Sequence, residues 1–194
     1  MKIRTPVSRL MKTRLISYIG LCSAVVFTAS VVLPQRTTTY EELPNFHQVN
    51  SQLYRGAQPK QGGFKQLTQL GVKTVINLRA GDDLSQTEEA EARAAGLHYF
   101  GVPFKRTGRP TDEQMTRVLT IVDDPANQPV FVHCRLGEDR TGTVIAVYRI
   151  VHDGWTSERA KAEANQLGMH PWELGMKDYI HDFYQRRQPG NTAR

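Results

Sequence analysis

His133-Cys134 is followed after five residues by Arg140-Thr141-Gly142, within the segment PVFVHCRLGEDRTGTVIAVYRIV (129–151). The apolar run before His133 reads as a strand, and the β-branched run after Gly142 reads as a helix. The residues between them therefore form a strand-to-helix turn. Such a turn points free backbone N–H groups inward, and the helix dipole adds partial positive charge, which makes an anion cradle. Gly137 and Gly142 suit tight backbone geometry and close approach of a ligand. Arg140 carries a planar fork able to clamp two phosphate oxygens, which a lysine cannot do. Cys134 stands at the mouth of this cradle, where thiols ionise readily and become nucleophiles toward a bound phosphate. The competing reading is an inert core cysteine. Its pairing with Arg140 across a glycine-bearing turn favours the nucleophile.

HCRLGEDRTG (133–142) matches the HC-x5-R-[ST]-G signature, and the chain resembles the cysteine-dependent protein tyrosine and dual-specificity phosphatases. NFHQVNSQLYRGAQP (45–59), LGVKTVINLR (70–79) and GWTSERA (154–160) extend the resemblance over roughly 45–185, toward the atypical dual-specificity branch of plants, fungi and bacteria. The resemblance implies hydrolysis of phosphomonoesters through a cysteinyl-phosphate. The substrates it implies are phosphotyrosine, phosphoserine or phosphothreonine in a protein, or a small phosphorylated molecule. Cys134 would attack phosphorus, and Arg140 would bind its oxygens with the backbone N–H groups of Arg135, Leu136, Gly137, Glu138, Asp139 and Arg140. Thr141 matches the hydroxyl residue that helps the thiolate leave. His133 matches the residue that orients the loop and tunes the thiol, with a hydrogen-bonded core histidine as the plainer alternative. No cofactor is implied, and the six His show no paired ligand spacing, so no metal is expected.

Relatives supply an aspartic acid from a separate loop to protonate the leaving oxygen. The corresponding segment here is VPFKRTGRPTDEQ (102–114), which carries Lys105 and Arg106 where an acid is wanted. Two candidates remain. Asp112 is the nearest acid, but following the N-cap Thr111 it equally suits a helix dipole. Asp139 stands immediately before Arg140, a position that some lipid phosphatases with this kind of loop use. Glu138 and Asp139 also make the cradle less cationic than the loops of inositol pyrophosphatases, which lowers the expectation of a highly phosphorylated inositol. Lys105, Arg106 and Arg109 either return charge at the rim or form a solvated loop. Arg79 either reaches the pocket or makes a structural salt bridge.

The elements that must position this segment alternate along the chain. Leu53-Tyr54, 74–78, 99–102 and 130–133 read as strands. Helices are predicted at about 86–95, from Thr111 with Gln114 completing a capping box, and over 141–152, 157–167 and 175–186. The pattern predicts an α/β fold, a central mostly parallel sheet of four to five strands flanked by helices, similar to the protein tyrosine phosphatases.

The chain of 194 residues has a net charge of +6, which invites a nucleic-acid partner. Five of its cations, Lys2, Arg4, Arg9, Lys12 and Arg14, lie in residues 1–14, which hold no acid, and residues 35–194 hold 20 basic against 19 acidic side chains. The body is nearly neutral, so no nucleic-acid partner is expected. Residues 15–33, LISYIGLCSAVVFTASVVL, are 19 without a charge, long enough at about 1.5 Å per residue to span a bilayer. The cationic flank predicts a single-pass anchor over 15–34 with a cytoplasmic tail (1–14) and the catalytic domain on the outer, periplasmic side of an inner or plasma membrane. The alternative is a cleaved signal peptide that releases the domain to the periplasm. Residues 35–45 read as a linker, 46–188 as the catalytic domain and 189–194 as a tail. Two rival functions share the motif: a phosphate-binding pseudophosphatase, and a lipid-phosphate or phosphoinositide phosphatase brought to its substrate by the anchor.

Overall fold

The computed structural model describes residues 40–79 and 83–189. In chain order these form β1 (His47–Asn50), β2 (Leu53–Gly56), α1 (Gly63–Gln69), β3 (Thr74–Asn77), α2 (Asp83–Ala94), β4 (His98–Gly101), α3 (Asp112–Asp123), β5 (Val130–His133), α4 (Asp139–His152), α5 (Ser157–Gln166) and α6 (Leu174–Arg186). The five strands make one sheet in the order β1-β2-β5-β3-β4. Only β1 runs antiparallel, to β2; every other pairing is parallel. The α/β class and the mostly parallel sheet are as expected from the sequence.

β5 lies at the centre, and all four of its residues are buried, as a strand covered on both faces requires. Its alternation sorts the two layers. Val130 and Val132 enter a core with Met115, Val118 and Val122 of α3 and Val144, Ile145 and Tyr148 of α4. Phe131 enters the opposite core with Phe64 and Leu67 of α1, Val75 of β3 and Ala92 of α2. Each such side chain contributes about 1.5–3 kcal/mol by leaving water. These two layers fix the end of β5, and hence the residue that follows it.

Helix α4 is the buried spine of one layer, with ten residues from Arg140 to Ile150 out of solvent. Helices α5 and α6 cover it through Ala146, Ile150, Ala160, Ala164 and Ile180. Arg149 reinforces this cover by pairing with Glu163 at 2.9 Å and Asp153 at 2.7 Å.

The structure adds two elements. Strand β1 is an exposed edge with Val49 as its one aliphatic residue, and α1 opens at Gly62 in the left-handed region without a side-chain cap. Residues 40–45, the described end of the segment read as a linker, pack on the body. Leu43 is buried, Ala57 N–H donates to Pro44 O and Lys60 N–H donates to Glu42 O. The apolar run 15–33 lies outside the described residues. Among the described residues no helix is long and apolar enough to cross a membrane.

Candidate active site

The sheet delivers Cys134 at the C-terminal end of its central strand, 2% exposed. The loop that follows is shaped from several sides. Gly137 takes φ +73, and a Cβ there would lie 2.5 Å from the carbonyl of Gly56, so only glycine fits between the loop and the end of β2. Arg55, also on β2 and 1% exposed, donates from Nη2 to Gly137 O at 2.5 Å. Burial pulls the Arg55 guanidinium down to about 10, which leaves it a cation at neutral pH. Gln58 N–H donates to Arg135 O, and Asn45 Nδ2 donates to Leu136 O.

Arg140, in the first turn of α4, is 8% exposed and donates from Nη1 to Leu78 O at 3.3 Å. That carbonyl lies just past β3, so the guanidinium is braced by the neighbouring strand end. Thr141 is fully buried, and its hydroxyl has no hydrogen-bond partner among the described residues.

His133 is fully buried behind the loop. Its Nε2 lies 2.7 Å from Glu88 Oε1 on α2, a close polar contact without hydrogen-bond alignment, and its ring stacks on Phe131. Glu88 Oε2 accepts from Gln58 Nε2 at 2.7 Å and from Asn77 Nδ2 at 3.1 Å. Arg79 donates to Gln58 Oε1 at 2.6 Å. Asn77 Nδ2 also donates to Tyr99 Oη, whose hydroxyl burial pushes up to about 12. A buried polar network thus backs the loop, hydrogen-bonded through Glu88 Oε2, Gln58, Asn77 and Arg79, while His133 Nε2 and Glu88 Oε1 meet without alignment.

A cavity of about 250 Å³ opens onto Cys134. Arg135, Leu136, Asp139 and Arg140 line it from the loop and α4, Arg106 and Thr107 from the 102–111 segment, and His170, Trp172 and Glu173 from the α5–α6 connection. A larger groove of about 1040 Å³ lies against α1 and α2, lined by residues such as Phe64, Lys65 and Glu91. It contains no thiol or histidine, so size does not mark the reactive site.

The two acid candidates part company. Asp139 lines the Cys134 cavity. Asp112 does not: its carboxylate accepts from Tyr179 Oη at 2.8 Å and from Arg186 Nη2 at 2.9 Å, tying α3 to α6. The rim cations divide likewise. Arg106 lines the cavity, whereas Arg109 pairs with Asp182 at 2.8 Å, and Lys105 is exposed away from it.

Several residues at the site, Glu88, Arg55 and His170 among them, were not singled out from the sequence. Glu88 sits on an amphipathic helix with no local motif, and Arg55 lies inside the quoted 45–59 segment without a recognisable role. His170 is a loop residue whose only cue is a polar–aromatic cluster, His170-Pro171-Trp172. Glu138, Asp139 and His170 bring three ligand-type atoms within 4.8 Å of one another. Asp139 is already engaged there, accepting the backbone N–H of His170 at 2.8 Å and lying 3.0 Å from its Nδ1. The group reads as an acid–imidazole pair more than a cation cage.

The family model described as a DSP-PTPase phosphatase fused to NAD+ kinase matches residues 29–182. The chain belongs to this phosphatase family. Among curated proteins it is similar to the dual specificity protein phosphatase TpbA of Pseudomonas aeruginosa, 30% identical over 142 residues, covering 73% of this chain and 62% of that one. It is also similar to the inositol diphosphatase SIW14 of Saccharomyces cerevisiae, 30% identical over 54% of this chain and 39% of that one. The chain thus spans less than two thirds of the length of either. Among solved structures, a cysteine-to-serine variant of TpbA in complex with pTyr superimposes with a TM-score of 0.59 at 28% identity, over 70% of this chain and 82% of that one.

Proposed function

We propose that this DSP-PTPase is a phosphomonoesterase that transfers phosphate first to Cys134 and then to water, with phosphotyrosine in proteins as its substrate class. One observation carries the reading: a nearly buried cysteine and an arginine braced by Leu78 O share one small cavity at a strand-to-helix turn. The Cys134 thiolate attacks phosphorus, the S–P bond forms and the P–O bond to the leaving oxygen breaks as that oxygen takes up a proton. Water then attacks phosphorus, gives up a proton, and the S–P bond breaks to return the thiolate and free phosphate. Arg140 and the loop N–H groups of 135–140 hold the equatorial oxygens, whose charge is highest in the transition state. The unpartnered Thr141 hydroxyl supports a role in receiving the departing thiolate. Asp139, in contact with His170 at the cavity, supports a part in proton delivery from the α4 side, and the partners of Asp112 favour a structural role for it.

The rim supports an aryl substrate. Trp172 is 72% exposed and Leu136 52% exposed at the cavity mouth, an apolar surface for a ring. TpbA, the relative seen with pTyr, adds to this reading. A second reading, a multiply phosphorylated small molecule, is favoured by an adjoining groove where Lys60, Arg79 and Arg135 gather. Turnover of para-nitrophenyl phosphate and a phosphotyrosine peptide, with and without Cys134→Ser, tests the mechanism. Activity that survives the substitution sinks it. Binding of phosphopeptide without turnover would establish the pseudophosphatase instead.

The same reading places the phosphatase on the outer side of a membrane, held by residues 15–33, on the strength of the cationic flank and the uncharged run alone. Carbonate extraction of cell membranes checks this, and recovery of the intact chain in the supernatant contradicts it.

A further inference from the structure

His170 shares the cavity with Cys134 and Arg140. It lies in the connection between α5 and α6, far in sequence from the loop, and its contacts with Asp139 are specific. Asp139 Oδ1 accepts the His170 backbone N–H at 2.8 Å, while His170 Nδ1 lies 3.2 Å from Oδ1 and 3.0 Å from Oδ2. Oδ1 thus accepts a backbone N–H while both carboxylate oxygens lie within reach of Nδ1, and an ionised Asp139 can only accept there. Nδ1 is committed to it. Nε2, the second ring nitrogen, has no hydrogen-bond partner among the described residues. The Trp172 ring packs at 4.8 Å and adds a second support to the imidazole. The segment 102–114, meanwhile, brings Arg106 to the cavity and no carboxylate.

We propose that His170 is the proton donor to the leaving oxygen, oriented by Asp139, so that an imidazole–carboxylate couple does the work of a loop aspartic acid. The inference rests on the cysteinyl-phosphate reading. As the S–P bond forms and the P–O bond breaks, the imidazolium passes its Nε2 proton to the leaving oxygen and becomes neutral. In the second step the neutral ring takes a proton from the attacking water as the S–P bond breaks, which restores the imidazolium. Asp139 holds Nδ1–H throughout and stabilises the charged ring, the arrangement in which a carboxylate fixes both tautomer and orientation. The charges facing this ring are known from every side. Asp139 and Glu138 (3.8 Å from Nδ1) come from the start of α4, Glu173 from its own connection, Arg106 from the 102–111 segment, and Arg135, Arg140 and Cys134 from the cradle.

The dependence of kcat/KM on leaving-group acidity tests this, because a proton donor matters most for the most basic leaving oxygen. A series of aryl phosphates from phenyl phosphate to a strongly activated phenol is compared for the full chain, His170→Gln and Asp139→Asn. The expected result is a steep dependence in His170→Gln, with phenyl phosphate losing about 10²–10³-fold and the activated ester losing far less. Asp139→Asn should steepen it to a smaller degree. A dependence unchanged in His170→Gln, a uniform loss across the series, or a steepening in Asp139→Asn alone overturns the proposal. Turnover of the activated ester shows within the same experiment that each variant is folded. Cys134→Ser is run alongside: if it retains turnover, the cysteinyl-phosphate reading itself has failed, whatever His170 shows.

Discussion

Helices α3 and α4 both begin with an aspartate directly after the N-cap, and they differ in almost everything else. At α3, Thr111 and Gln114 close a full capping box, which satisfies the Thr111 and Gln114 N–H groups reciprocally. At α4, the N-cap Glu138 makes no side-chain cap bond, and the helix start is fed by a loop bent through Gly137. Asp112 is 70% exposed and accepts from Tyr179 and Arg186 through Oδ1, whereas Asp139 is 19% exposed and faces His170 in the cavity. Burial first, and then the Asp112 carboxylate beside it, hold the Tyr179 hydroxyl above its ordinary value, so it stays a donor to that carboxylate. One helix start is closed by its own residues and serves cohesion. The other lacks a side-chain cap, and under the proposed function its backbone donors and helix dipole are what a phosphate meets.

This contrast can be broken in order of expected effect. Arg140→Lys should reduce kcat by about 10³, because a point charge replaces a bidentate clamp. The matching change on the α3 side, Arg186→Lys, should leave kcat within about twofold. Steady-state rates on an aryl phosphate compare the two directly. Asp139→Asn should cost about 10² on phenyl phosphate, while Asp112→Asn should leave turnover nearly unchanged. Equal losses at the two aspartates would erase the distinction. Gly137→Ala forces a Cβ against the Gly56 carbonyl and a non-glycine residue at positive φ, and should destabilise the fold by roughly 3 kcal/mol, read from urea unfolding. The smallest effect belongs to Asp112→Asn in stability, less than about 1 kcal/mol at so exposed a position.

The sequence alone revealed the skeleton of the site because its signals are local. β-Branched runs announced β3 and β5, the Tyr99-Phe100 pair announced β4, the capping box announced α3, and the signature marked Cys134, Arg140 and the turn between them. The missing elements lack such signals. Strand β1 reads HQVN, a polar edge held by pairing with β2 and by no hydrophobic alternation of its own. Helix α1 is short, begins on glycines and owes its stability to burying Phe64 and Leu67. The sequence alone did not choose between Asp112 and Asp139, since one is the nearest acid on the 102–114 segment and the other stands immediately before Arg140. Tertiary partners 67 and 31 residues away, Tyr179 and His170, separate them. His170 and Glu88 belong to the site only because the fold brings the α5–α6 connection and α2 to either side of the loop.

The central claim is that Cys134 carries the phosphate. Rapid-quench turnover of a phosphotyrosine peptide, followed by mass spectrometry of the peptide containing residues 129–140, tests it most directly. A transient phosphate adduct on Cys134, absent in Cys134→Ser, is the expected result. Turnover with no adduct on that peptide at any quench time, together with activity retained in Cys134→Ser, would contradict the account.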